Sequence, residues 1–373
     1  MLEAFRAVKR NHGSAGVDQV TIEMFESQLE QNLAALMKQL KDRSFQPRPL
    51  RRVHIPRGDG RTRPLGIPTV RDRVAQEVLR RLVNPIFEPL FHADSYGFRA
   101  GRSCHMAVER VLQLHQEGYR HVVDADVKGF FDNLPHRVIM EGLAAEIADG
   151  NILTLIERFL TAGVMEEGVF LPTTQGTPQG GVISPLLANI ALNRLDWQFH
   201  ESGYRFVRYA DDFVVLCRSE VEAREAHAFA QQRLTDLGLT LSAEKTKITQ
   251  FSRGFLFLGF RIDSWTVTMR DKSVEKFQTR IRELTMRSRN FDALVVERVN
   301  QTVRGVANYF ATSFSQVWKL FQGLDSWLRM RLRAMKFKRK SKRNNQRLPV
   351  TLLKQMGFVF LNDLNPRVTV KTS

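Results

Sequence analysis

The feature that most constrains this chain is an acidic pair, Asp211-Asp212, set in the middle of an apolar run. Phe206-Val207 precedes it and Phe213-Val214-Val215-Leu216 follows, so Tyr204 to Cys217 reads as two apolar strands hinged at Tyr209-Ala210-Asp211-Asp212. Adjacent residues on an ordinary strand point to opposite faces; a tight hairpin turn is one way to bring both carboxylates towards the same ions. A separate apolar stretch, His121-Val122-Val123-Asp124-Ala125-Asp126-Val127, reads as a buried strand ending near another carboxylate, Asp126, which could complete such a site from the side. Carboxylate oxygens suit hard cations of the magnesium type. Taken alone, an Asp-Asp pair as readily marks a solvated turn; the apolar flanks make solvation harder here.

Charge supplies the second constraint. Lys and Arg number 56 against 39 Asp and Glu, a formal net charge of +17, and the excess is spread along the chain rather than confined to a tail. Such a surface fits a polyanionic partner, because neutralised phosphates release condensed counterions. With 43% apolar and 25% charged residues the chain has the composition of a folded globular protein, long enough for two or three subdomains. Cys104 and Cys217 are too few for a disulfide framework or a four-ligand zinc site. The expected location is the cytosol, with no membrane association, since no stretch has the apolar length of a signal peptide or a membrane span.

Along the chain, Val20 to Leu40 has helical spacing behind a Thr21 cap, and an Arg- and Pro-rich loop follows from Phe45 to Pro68. Within it, Val53-His54-Ile55-Pro56 and Pro64-Leu65-Gly66-Ile67-Pro68 read as short strands flanking a Gly58-Asp59-Gly60 turn. Asp72 to Pro85 reads as a helix ended by its proline. Gln175-Gly176-Thr177-Pro178-Gln179-Gly180-Gly181 opens a helix towards Leu195, Glu220 to Gly238 is a surface helix, and Thr240 to Ile248 and Phe255 to Ile262 read as further strands. From Lys276 onward the pattern is helical and basic, with a boundary expected between Arg270 and Ser273.

These segments occur in an order that resembles a known family. Tyr209-Ala210-Asp211-Asp212, with Asp126-Val127-Lys128-Gly129-Phe130-Phe131-Asp132-Asn133 and Gln175 to Pro185, resembles the catalytic motifs of reverse transcriptases, in the branch encoded by bacterial group II introns. Arg63-Pro64-Leu65-Gly66-Ile67-Pro68, Tyr96-Gly97-Phe98-Arg99, Leu241 to Lys247 and Phe257-Leu258-Gly259-Phe260 agree in order as well. The resemblance implies an α+β right-hand polymerase: fingers and the start of the palm over 1–115, palm over 116–270, a helical thumb or maturase region over 271–345 and a short tail over 346–373. It implies nucleotidyl transfer from a dNTP to a primer 3′-hydroxyl, with two Mg²⁺ ions, or Mn²⁺ in their place, held by Asp126, Asp211, Asp212 and the backbone carbonyl of Val127. Two metal ions about 3.5–4 Å apart neutralise the attacking and leaving oxygens of such a displacement.

For the dNTP the resemblance implies Phe131 under the sugar, excluding a 2′-hydroxyl, and Gln179 and Gly180 lining the pocket. Lys245 falls near the leaving pyrophosphate, and Arg63 and Arg71 are candidates for the triphosphate; Arg57, Arg61 and Arg73 lie nearby, so the choice of two stays open. Ordinary core packing is the alternative reading of Phe131, with Phe130 beside it able to fill that role. Phe257, Leu258, Gly259 and Phe260 correspond to the primer grip. Arg304, Arg329, Arg331, Arg333, Lys336, Lys338, Arg339 and Lys340, interleaved with aromatic residues, suit a surface that tracks nucleic-acid backbone. The implied partners are an RNA template, a DNA or RNA primer, their RNA–DNA duplex, dNTPs and the intron RNA that such proteins help to splice; the sequence leaves the oligomeric state open. Only about ten residues precede the family's first motif, and no paired cysteines follow the thumb, so autonomous second-strand cleavage is not expected. A chain acting chiefly as an RNA-binding maturase and a free-standing enzyme of repair or defence are the rival readings.

Overall fold

The structure is a computed structural model that describes residues 1–56, 62–177 and 180–366. It divides into two compact units, Met1–Ile248 and Thr249–Ser373. The described strands that begin in the first unit are β1 (Leu50–Pro56), β2 (Thr62–Ile67), β3 (His121–Asp126), β4 (Val164–Glu166), β5 (Val169–Leu171), β6 (Arg205–Tyr209), β7 (Asp212–Cys217) and β8 (Lys247–Gln250). They form two sheets, ordered β2-β1-β4-β5 and β6-β7-β3-β8.

The second of these sheets is built on the alternation of β3. Val123 and Ala125 point into a core shared with Phe213 and Val215 of β7 and with the alanine face of the helix Glu220–Asp236, whereas Asp124 and Asp126 alternate to the other face. The outer edge of β6 is covered by the segment Asp94–Tyr96. Arg208 N–H donates to the Asp94 carbonyl at 3.0 Å, and Tyr96 N–H donates to the Arg208 carbonyl at 2.9 Å.

Some elements depart from the sequence pattern for identifiable reasons. Thr21 does cap a helix, its Oγ1 accepting from Met24 N–H, but Val20 to Leu40 splits into Ile22–Glu26 and Leu29–Lys41. The Asn32 side-chain amide takes the Phe25 carbonyl that a continuous helix would use internally. The helix expected to stop at Pro85 runs Val70–Phe87, capped by Thr69 Oγ1. Pro85 forfeits one backbone bond near the end, and burial of Val83 and Phe87 carries the helix past it. Residues 240–246 dock on the end of β3 instead of forming a strand: Lys128 N–H donates to Thr240, Ser242 N–H donates to the Asp126 carbonyl, and only Lys247–Gln250 is extended into β8.

The second unit begins with a sheet of β9 (Phe255–Phe257), β10 (Phe260–Ile262) and β11 (Val267–Met269), ordered β11-β10-β9, followed by the long helices Asp271–Leu284, Ala293–Phe310 and Trp318–Lys336. The change from strand to helix falls at Arg270. The division by packing falls earlier, at Ile248, because the Phe260 ring of the sheet lies against Tyr309, Phe310 and Phe314 and ties the hairpins to the helices. No helix among the described residues is long and apolar enough to cross a membrane.

Candidate active site

Strands β6 and β7 pair antiparallel with Tyr209 opposite Asp212, leaving Ala210 and Asp211 as a two-residue turn. β3 pairs with the other side of β7, and the register sets Asp126 directly opposite Asp212. Directly opposed residues of an antiparallel pair share a face with their Cβ atoms about 4.5–5.5 Å apart, so two carboxylates lie side by side with Asp211 next to them on the turn. Burial pushes the Asp211 carboxyl up, and the nearby Asp126 charge adds to the effect. Burial likewise raises Asp124, two residues before Asp126, to about 6.

Asp126 holds a cation of the protein's own. Lys245 Nζ, carried by the docked 240–246 segment, donates to both carboxylate oxygens, at 3.0 and 2.9 Å. Lys245, which the resemblance implies near a leaving pyrophosphate, here lies on the Asp126 carboxylate. Among the described residues, no three His, Cys, Asp or Glu side chains are gathered tightly enough to form a ready-made metal cage. The donor set nevertheless fits a hard divalent ion: its groups are all oxygens, two carboxylates share one face, and the site already holds positive charge at Asp126.

The turn is braced from beneath by residues that the sequence reading missed. Arg208, 1% exposed, donates to both oxygens of Asp196 at 2.7 and 2.5 Å, to Asn189 Oδ1 at 3.0 Å and to the Ala210 carbonyl at 2.9 Å. Asn189 in turn donates to the Gly97 carbonyl at 2.8 Å. A Cβ on Gly97 would stand 2.3 Å from the Ala210 nitrogen, so only glycine lets this loop pass so close behind the turn. One signal was available: an arginine in the apolar strand Phe206-Val207-Arg208 and an aspartate in the apolar helix Ser184–Glu201 each need a buried partner.

A cavity of about 1110 Å³ in the same unit brings together Arg63, Phe131 and Gly180. Phe130 is buried in the core while Phe131, edge-on to it, is half-exposed and lines the cavity. The Phe131 carbonyl accepts from Thr177 N–H at 2.8 Å, fixing the motif-opening segment to this ring. At Gly180, with φ of +115°, a Cβ would stand 2.6 Å from the Gly66 carbonyl. Gln179, Arg57, Arg61 and the expected Gly58-Asp59-Gly60 turn lie outside the described residues. Arg71 does not join the lining: its guanidinium donates to the Gln46 carbonyl and packs over Phe45. Arg10 and Arg80, which the sequence reading did not single out, line the cavity instead.

In the second unit, Leu258 and Gly259 form a two-residue turn with φ of +47° and +83°, and Tyr309 Oη donates to the Leu258 carbonyl. A groove of about 520 Å³ beside this turn is lined by Arg270, Lys276 and Arg280. Of the basic residues singled out from sequence, Arg304, Lys336, Lys338, Arg339 and Lys340 are exposed, with Lys336 also over the Phe291 ring. Arg329 lies over Phe360. Arg331 donates to the Arg282 and Thr285 carbonyls at the end of a neighbouring helix, Arg333 is buried against Leu348 and Asn345, and Lys338 Nζ donates to the Arg287 and Arg289 carbonyls.

Residues 55–262 match the family described as reverse transcriptase (RNA-dependent DNA polymerase), and residues 274–350 match the group II intron, maturase-specific domain. Protein YkfC of Escherichia coli K12 is 36% identical over 306 residues, covering 70% of this chain and 80% of that protein. The group II intron-encoded protein LtrA of Lactococcus lactis is 38% identical over 199 residues, covering 53% of this chain and 32% of that protein. The chain thus spans only about a third of the length of this intron-encoded relative. Among solved structures, apo telomerase from Candida tropicalis superposes with a TM-score of 0.54 at 13% identity, covering 83% of this chain and 60% of that one. The fold is therefore that of the α+β right-hand polymerases. With the reverse transcriptase match followed in order by the maturase-specific one, the chain belongs to the reverse transcriptase family, in its group II intron branch.

Proposed function

We propose that the chain is an RNA-directed DNA polymerase that extends a primer 3′-hydroxyl with dNTPs on an RNA template, and that its basic helical segment also binds group II intron RNA. The observation that carries this reading is the register of β3 and β7, which sets Asp126 beside Asp212 with Asp211 on the adjoining turn. In this reading the fingers and start of the palm occupy 1–115, the palm 116–270, the thumb 271–345 and a tail 346–373. Asp126, Asp211, Asp212 and the Val127 carbonyl would hold two Mg²⁺ ions, or Mn²⁺ in their place. Bound there, the metals supply charge neutralisation at the attacking and leaving oxygens.

The chain's own residues do the rest. Arg63 offers a guanidinium fork to the triphosphate, with Arg10 and Arg80 lining the same cavity. Phe131 lies under the sugar, its ring taking the room of a 2′-hydroxyl, and Gly180, whose missing Cβ lets the Gly66 backbone pack against it, lines the same pocket. Lys245, on the carboxylate at Asp126, is placed to exchange its partner for phosphate oxygens as substrate arrives. Phe257 to Phe260 form the primer grip, and Arg304, Arg329, Lys336, Arg339 and Lys340 track phosphates. Arg331 and Arg333 serve chiefly to join helices.

Replacing Asp211 and Asp212 together with Asn tests the reading: dNTP incorporation on a primed RNA template is expected to fall at least about a thousandfold, against unchanged thermal stability. Incorporation at the wild-type rate would sink it. The match of 274–350 to a maturase-specific domain favours a second activity, assistance to intron splicing. Splicing that survives the same Asn changes, but fails when Lys336 to Arg343 are neutralised, would separate it from polymerisation.

A further inference from the structure

Among the described residues the bulkiest wholly buried side chain is Arg208, and it lies only three residues ahead of Asp211. Its guanidinium serves three partners from one plane: the Asp196 carboxylate, the Asn189 amide oxygen and the Ala210 carbonyl. Asp196 and Asn189 stand seven residues apart on the helix Ser184–Glu201, two turns on one face, so a rigid element presents both. Ala210 adopts φ of +59°, a left-handed conformation that a residue with a Cβ disfavours. Something must hold the turn in that shape, and Arg208 does so by donating to the Ala210 carbonyl at 2.9 Å.

We infer that Arg208, locked by Asp196 and Asn189, is a positioning residue that sets the peptide between Ala210 and Asp211 and so aims the Asp211 and Asp212 carboxylates. Packing alone does not call for such a pair, since a well-packed apolar pair of similar volume commonly replaces a buried ion pair without loss of stability. A lysine would keep the charge but offers a point donor in place of the planar fork, and cannot serve Asp196 and Ala210 in the same geometry. The Asn189 bond to the Gly97 carbonyl extends the brace to the loop behind the turn.

The inference rests on the reading of Asp211 and Asp212 as the polymerase carboxylates, and its test is read out separately. The double variant Arg208→Met/Asp196→Leu removes both buried charges, leaving none without a partner; Arg208→Lys keeps the charge and loses the fork. For each, thermal unfolding, Mn²⁺ binding by calorimetric titration, and single-nucleotide incorporation are measured on the full chain. The expected result is a folded protein whose Mn²⁺ affinity and kcat fall about 10- to 100-fold, the range typical of lost outer contacts to metal-holding groups, with the dNTP KM within about threefold of wild type. If the double variant does not fold, Arg208→Lys gives the same comparison. A folded variant with wild-type Mn²⁺ affinity and kcat would overturn the inference. Failure of the polymerase reading shows elsewhere, as incorporation that survives the Asn changes at Asp211 and Asp212.

Discussion

Phe130 and Phe131 are neighbours of the same type set at different depths. Phe130 is 2% exposed in the core, while Phe131 turns its ring to the cavity that holds Arg63 and Gly180. In the proposed function that ring excludes a 2′-hydroxyl, so Phe131→Ala is expected to relax dNTP over rNTP selection about 10- to 100-fold, measured as the ratio of kcat/KM for the two sugars. An unchanged ratio would remove Phe131 from the sugar pocket. The arginines show the limit of legibility at this scale. Arg71 and Arg80 sit on one helix and look alike in sequence, yet Arg71 packs on Phe45 and Arg80 lines the cavity. Which arginine faces a cavity depends on the helix's rotation about its axis, set by packing that no local pattern reveals. Arg208 and Asp196 were missed for a related reason: each is an isolated charge in an apolar element, and only the fold joins them.

At the scale of elements, the β6–β7 hairpin was legible because alternation, apolar flanks and an acidic turn all point to the same two strands. The register between β3 and β7 was not, since nothing local to either strand says which residues face each other. Helix ends failed where side chains intervene, as Asn32 does between Phe25 and Leu29. The loop behind the hairpin gives a prediction of its own. Gly97→Ala would drive a methyl into the Ala210 nitrogen, and is expected to cost about 1–3 kcal/mol in urea unfolding and to depress incorporation by displacing the turn. Gly323→Ala, in open space on a helix, is the control, expected to leave stability equal or slightly higher. Equal behaviour of the two variants would show that the loop yields to the added methyl.

For the whole molecule, the net charge of +17 and the spread of exposed cations make nucleic-acid affinity a matter of counterion release. Binding of a primed RNA template is expected to weaken about a thousandfold between 50 and 200 mM salt, measured by fluorescence anisotropy. A flat salt profile would assign the basic surface some other role. The sequence pattern places the change from strands to helices between Arg270 and Ser273, whereas the chain divides by packing at Ile248, because aromatic rings from the hairpins and the helices interlock. Periodicity reports what each segment is, and side-chain packing decides what it belongs to.

The segment Asp94–Tyr96 has a meaning beyond the active site. By bonding Arg208 on both its backbone groups it occupies the free margin of β6, the place where a foreign strand would otherwise attach. Damage to that segment should thus declare itself first in the insoluble fraction of an expressing culture, before any assay of nucleotide transfer is run.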